Sequence, residues 1–271
     1  MVKIPKIIHY VWLGRGKKPE MFYRCLESWK KFCPDYEIRE WNEDNFDFSE
    51  NVYASQAYSL KKYAFVSDYI RVKVLRDYGG IYFDIDVELT KPIDDVLDSE
   101  FVVGFENNVH CGTATLASVP NHPFINLMCE FYEVKPYILK NGKIDVTPNT
   151  PICTYFLKKY YGLKLNNTKQ VLHSAYGDKY GTVTVYPRDF FSPINYTTRK
   201  MKQTENTHAI HYFSASWFVN KMQVREKFLR VIYYIFTPYV FEGFTRMYVK
   251  TVFNKMAKFE KKNNFKDKVF K

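Results

Sequence analysis

The chain has 271 residues, of which 46% are hydrophobic and 25% charged, and it carries a net charge of +11. That composition excludes wholesale disorder and collagen-like or low-complexity architectures, and the length suits one large domain with or without an appendage. No stretch approaches the roughly 20 apolar residues that span a bilayer. The opening Met-Val-Lys-Ile-Pro-Lys lacks the pattern of a signal peptide, and five cysteines without a Cys-x-x-Cys pair read as reduced thiols of a cytoplasmic protein.

Residues 6–13 are β-branched and aromatic, are closed by Gly14-Arg15-Gly16, and read as a buried first strand. Residues 20–32 have helical spacing, stopped by Cys33-Pro34-Asp35, and 36–41 read as a second strand. The spacing over 55–78 predicts one long helix, ended by Gly79-Gly80. Strands are expected at 81–89, 101–106, 182–186 and 208–213, and helices at 125–137 and 150–161. Alternating strands and helices imply an α/β sandwich with a mainly parallel central sheet.

Residues 81–89 carry the most chemistry. In one continuous strand, Ile81, Phe83, Ile85, Val87 and Leu89 share a face, and Tyr82, Asp84, Asp86 and Glu88 share the other. Asp84 and Asp86 then sit about 7 Å apart. Two carboxylates so placed are eased by a cation, and carboxylate oxygens suit Mg²⁺ or Mn²⁺ with a diphosphate completing the shell. The other reading is an edge strand with its acidic face in water. In the preceding helix, Asp68 and Arg71 are three apart and share a face, which fits either a sugar-binding pair or a surface ion pair.

These blocks resemble a known family. Residues 4–14 (Ile-Pro-Lys-Ile-Ile-His-Tyr-Val-Trp-Leu-Gly), Ser67-Asp68-Tyr69-Ile70-Arg71, residues 75–82 and Asp84-Ile85-Asp86 are similar to the core of glycosyltransferase family 32, which shares elements with the large clostridial glucosylating toxins. Residues 210–217 resemble its closing His…Ser-Trp motif. The resemblance implies a GT-A fold, a nucleotide-diphosphate sugar donor (UDP-sugar favoured), a Mn²⁺ or Mg²⁺ ion and retention of the anomeric configuration. It further implies base contacts at Val11 and Trp12, and ribose or sugar contacts at Asp68 and Arg71. Tyr82 belongs to the donor site with them. Asp84 lies near ribose and metal, Asp86 binds the metal directly, His211 completes its shell, and Ser216 and Trp217 close over the diphosphate. Glu106, Asn107 and Asn149 are expected on the donor-sugar or acceptor side. The competing enzyme reading is a phosphatase of the haloacid dehalogenase type with Asp84 as nucleophile; a third is a non-catalytic membrane-associated protein.

Residues 221–271 hold 13 Lys and Arg against 4 Asp and Glu, leaving a net of only +2 on residues 1–220. Nucleic-acid binding needs the positive charge on the working domain, so no nucleic acid is expected. Phe241, Phe244, Tyr248, Val252, Met256 and Phe259 recur at helical intervals, with Arg246, Lys250, Lys258 and Lys261 largely on other faces. This basic, aromatic tail either lies at an anionic membrane surface or packs on a catalytic domain formed by 1–220. The first alternative suggests a peripheral enzyme on the inner face of the plasma membrane. It would act on a glycan or lipid-linked glycan acceptor, as in bacterial capsule or surface-polysaccharide assembly.

Overall fold

The computed structural model describes residues 3–177, 180–196, 198–214 and 238–263. Along the chain come β1 (Ile7–Val11), α1 (Glu20–Phe32), β2 (Glu37–Trp41), α2 (Val52–Ser59), α3 (Tyr63–Tyr78), β3 (Gly80–Phe83), β4 (Val87–Leu89), β5 (Phe101–Phe105) and β6 (Cys111–Ser118). They are followed by α4 (Pro123–Val134), α5 (Asn149–Tyr161), β7 (Gln170–His173), β8 (Thr182–Tyr186), α6 (Arg188–Phe191), β9 (Ala209–His211) and α7 (Pro238–Asn263). Seven strands form one sheet in the order β2-β1-β3-β6-β5-β8-β7, and β4 pairs with β9 in a separate two-stranded ribbon. Within the large sheet, β2, β1 and β3 are parallel, as are β5 and β8, whereas β6 and β7 are antiparallel to their neighbours. Five strands therefore run one way and two the other, as the mainly parallel reading expects.

Each sheet face covers its own core, because strand side chains alternate. Tyr82, Val103 and Leu116 face α2, α3, α4 and α5, while Ile81, Phe83, Val102 and Ala117 face α1. The Gly79-Gly80 pair makes the turn from α3 into β3 sterically feasible. Gly79 caps α3 at φ +65°, and Gly80 sits at φ +92°, where a Cβ would lie 2.5 Å from the Ile7 carbonyl oxygen. His9, on β1, is 2.8 Å from the Gly79 carbonyl through Nε2, and its Nδ1 accepts from the Trp41 indole at 3.0 Å. Burial lowers the His9 pKa to about 4, so the imidazole is neutral and spans β1, β2 and the glycine turn.

Three expectations change. The helix expected over 55–78 is two helices, broken where Lys61 adopts φ +54° and the Lys62 N–H bonds back to the Ala57 carbonyl at 2.8 Å. No Gly or Pro marks that break. The strand expected over 81–89 is β3 and β4 with a turn between them, closed by the Val87 N–H on the Asp84 carbonyl at 3.0 Å. β6 and β7 have no counterpart among the predicted elements. β6 is buried along its whole length yet reads Cys-Gly-Thr-Ala-Thr, with too few apolar residues to signal a strand.

α7 packs on the body. Val252 and Met256 enter the larger core, and Phe253 and Phe259 lie against it. The buried Glu260 carboxylate accepts from the Tyr155 and Tyr160 hydroxyls and from Lys159, all on α5. The apolar stripe expected at 241–259 is thus spent on the domain at Val252, Met256 and Phe259. The side chains of Phe241 and Phe244, together with Ser216 and Trp217, lie outside the described residues. All five cysteines are buried and none forms a disulfide. Among the described residues no helix is long and apolar enough to cross a membrane.

Candidate active site

The turn between β3 and β4 corrects the sequence geometry of the two aspartates. A flat strand would hold them about 7 Å apart. The turn instead folds Asp86 back, and β4 then pairs with β9 so that Val87 lies opposite His211. One ligand atom from each of Asp84, Asp86 and His211 comes within 4.8 Å of the others. Glu88 leaves the group: its carboxylate takes a two-point grip from Arg24 at 3.0 and 2.6 Å and a hydrogen bond from Tyr212.

Each aspartate is anchored through one oxygen. Asp84 Oδ1 accepts from the Tyr82 hydroxyl at 2.9 Å and faces Arg71 at 3.3 Å. Asp86 Oδ2 accepts from the Ser214 backbone N–H at 2.7 Å, and its Oδ1 lies 3.5 Å from His211 Nε2. Anchoring one oxygen fixes the direction of the other. The buried His211 Nδ1 has no hydrogen-bond partner among the described residues. A buried polar atom left in that state is unfavourable, and a cation held by the group would relieve it. Two carboxylates with an imidazole are a fitting donor set for a divalent metal.

Behind this centre stands a second layer. Asp68 and Arg71 of α3 are buried and pair at 3.2 Å. Arg71 donates to the Thr113 carbonyl at 2.7 Å and to Ser67 at 3.2 Å, and its guanidinium lies 4.7 Å above the Tyr82 ring. Burial opposes its charge, but Asp84, Tyr82 and Asp68 outweigh that and hold it protonated. With so many N–H groups engaged, Arg71 ties α3, β6 and the acidic turn together and supplies fixed positive potential. Asn149, the first residue of α5, donates to Asp68 Oδ1 at 2.5 Å. Burial pushes the Asp68 carboxyl up to about 7 against the opposing pull of Arg71. Sequence reasoning gave Thr113, Ser67 and Ser214 no role. Ser67 and Ser214 lie within the stretches that carry the family resemblance, whereas Thr113 belongs to the strand that composition conceals.

Glu106 follows β5 and leans past Gly112, where a Cβ would lie 3.3 Å from that of Glu106. Enclosure raises its carboxyl; His211 opposes and Asp84 adds to the shift, which places all three within electrostatic reach. Asn107 is a turn-former: its Oδ1 accepts from the Val109 and His110 N–H groups at 2.9 and 3.0 Å. Val11 is a core residue, and Trp12, at the end of β1, donates its indole N–H to the Gly16 carbonyl at 2.8 Å.

An acidic turn at the carboxyl end of a central strand, in an open sheet covered on both faces, stands where α/β proteins bind ligands. Residues 19–102 match the family model of the glycosyltransferase sugar-binding region containing a DXD motif, which here is Asp84-Ile85-Asp86. The chain matches that model over less than a third of its length. It is similar to inositol phosphoceramide mannosyltransferase 1 of Schizosaccharomyces pombe, at 27% identity over 137 residues, covering 46% of this chain and 41% of the relative. Inositol phosphoceramide mannosyltransferase 2 of the same organism is 28% identical over 174 residues, covering 60% and 49%. This chain thus matches less than half the length of these relatives. Among solved structures, the PaToxG glycosyltransferase aligns with 21% identity over 58% of this chain and 70% of that chain, at a TM-score of 0.42.

Proposed function

We propose that this protein transfers a hexosyl group from a nucleotide-diphosphate sugar to a hydroxyl of a glycan or lipid-linked glycan. The observation that carries the reading is the convergence of Asp84, Asp86 and His211 in front of the Asp68–Arg71–Asn149 layer. The carboxylate–imidazole set favours Mn²⁺, with Mg²⁺ as the alternative. Bound there, the ion would neutralise charge on the departing diphosphate. Arg71 holds Asp84 in place and adds positive potential, and Asp68 and Asn149 present acceptor and donor groups for ribose or sugar hydroxyls. The main chain near Val11 and the Trp12 ring are assigned to the base, and Ser216 and Trp217, which lie outside the described residues, to the diphosphate. Tyr82 orients Asp84, while Glu106 and Asn107 border the sugar or acceptor side.

In this reading the anomeric C–O bond to the diphosphate breaks and the acceptor oxygen attacks the same face. The acceptor's proton passes to the departing phosphate oxygen, and configuration is retained. UDP-sugars are the favoured donors. Because two relatives are named as inositol phosphoceramide mannosyltransferases, GDP-linked mannose belongs in the same screen. Those names also support a lipid-type acceptor; our reading places it at the inner face of the plasma membrane, as in surface-polysaccharide assembly. The phosphatase alternative gains no support: Asp84 follows the third strand, not the first, and its Oδ1 is tied to Tyr82 and Arg71.

The test is hydrolysis of UDP- and GDP-sugars with and without Mn²⁺ in the parent and in Asp86→Asn. One sugar nucleotide should be turned over in a Mn²⁺-dependent manner, and the substitution should reduce turnover by about 100-fold or more. Metal-independent turnover, or a variant as active as the parent, would overturn the assignment.

A further inference from the structure

Beyond α4 the chain makes a short hairpin. The Asp145 N–H bonds to the Tyr137 carbonyl at 2.8 Å, the Leu139 N–H to the Lys143 carbonyl at 2.8 Å, and Ile138 bridges Ile144 in antiparallel fashion. Gly142, at φ +76°, allows the tip to reverse, and that tip exposes Lys140 and Lys143. On the returning arm Ile144 and Val146 are 41% and 55% exposed, although both are large and apolar. Between them Asp145 is buried, and Lys255 of α7 holds both of its oxygens at 2.8 Å. Hairpin and helix are therefore pinned to each other. Two helical turns before Lys255, Met247 and Tyr248 are 60% and 46% exposed, with the Tyr248 phenol within electrostatic reach of Asp145.

Among the described side chains of α7 the exposed charge is positive. Arg246, Lys250, Lys258, Lys261 and Lys262 are exposed on α7, while Glu260 is turned into the body. We propose that the hairpin 137–145 and the outward face of α7, with Val146, form one docking surface for an anionic lipid membrane. The apolar side chains enter the interface and the lysines meet the headgroups. Charge complementarity selects an anionic partner. A nucleic acid would use the lysines but leave Ile144, Val146 and Met247 in water.

This inference rests on the lipid-type acceptor reading and gives it a geometry. Only three residues separate Asp145 from Asn149, which holds Asp68. At most about 14 Å of backbone thus lies between the docked surface and the proposed donor site.

The experiment is co-sedimentation of the full chain with phosphatidylcholine vesicles, with and without about one-third phosphatidylserine. Lys250→Glu/Lys258→Glu and Ile144→Ser/Val146→Ser are compared with the parent. The parent should bind the anionic vesicles and not the neutral ones. Each basic side chain contributes about fivefold to partition, so the charge variant should bind at least about 25-fold more weakly. The apolar variant should lose about tenfold, with melting temperatures unchanged in both. No binding of the parent to anionic vesicles, or unaltered binding by both variants, would overturn the proposal. So would tight duplex-DNA binding that displaces the vesicles and is lost only in the charge variant. Hydrolysis of soluble sugar nucleotides, measured on the same samples, reports separately on the catalytic reading.

Discussion

Asp68 offers a sharp test of how the buried layer is built. Its carboxyl is pushed up to about 7 because burial outweighs the attraction of Arg71; in the unfolded chain an aspartate titrates near 3.9. The native state therefore holds the Asp68 proton more tightly than the unfolded state does. Below about pH 4 both states are protonated and there is no penalty. As pH rises from 4 to 7 the unfolded state gains progressively, and above 7 the cost levels off at about 4 kcal/mol, from about 1.4 kcal/mol per pKa unit. Asp68→Asn has nearly the same shape and no titration. Urea unfolding of parent and variant in EDTA, from pH 5 to pH 8, subtracts the groups that the two share. The difference in unfolding free energy should move in favour of the variant by about 3 kcal/mol across that window. A difference that stays flat would refute the reasoning, since it would mean that Arg71 and Asn149 fully compensate the buried charge. Movement in the opposite direction would mean that the ion pair outweighs burial.

Three further outcomes follow from the packing. Glu260→Ala leaves the Tyr155 and Tyr160 hydroxyls without their acceptor and should cost on the order of 3 kcal/mol in chemical denaturation, with Glu260→Gln milder because it keeps an acceptor. Gly80→Ala would press a Cβ to 2.5 Å from the Ile7 carbonyl at φ +92° and should cost about 3 kcal/mol or more, or abolish folding. By contrast, Gly243→Ala in α7 meets no neighbour within 4 Å and should be neutral or stabilise by about 0.5–1 kcal/mol, as a thermal melt would report.

Much of this was open to reading from residue order. Helical spacing placed α1 at Glu20–Phe32, and the Gly79-Gly80 stop placed the end of α3. Both are local signals: side-chain period, and a backbone conformation that glycine adopts without steric cost. The apolar alternation of 81–89 also held in part, since Ile81, Phe83, Ile85, Val87 and Leu89 all reach one core. That same regularity concealed the turn at Ile85-Asp86, because nothing in the alternation distinguishes an uninterrupted strand from two strands that share a face.

Long-range contacts decided the rest. β6 becomes a strand because β3 and β5 supply its backbone partners on both sides, not because its small and polar residues favour one. Lys61 breaks the long helix without any local marker. The amphipathic pattern of the tail left open whether a membrane or the protein covers its apolar stripe. The contacts of Val252, Met256 and Phe259 put that part of the stripe against the domain, whereas Tyr248 stays 46% exposed. The residue types of the active centre were set by sequence, since carboxylate, imidazole and guanidinium chemistry belongs to the side chains themselves. Their separation was not: the distance between Asp84, Asp86 and His211 depends on a ribbon between segments more than 100 residues apart, and no local pattern encodes a pairing over that span.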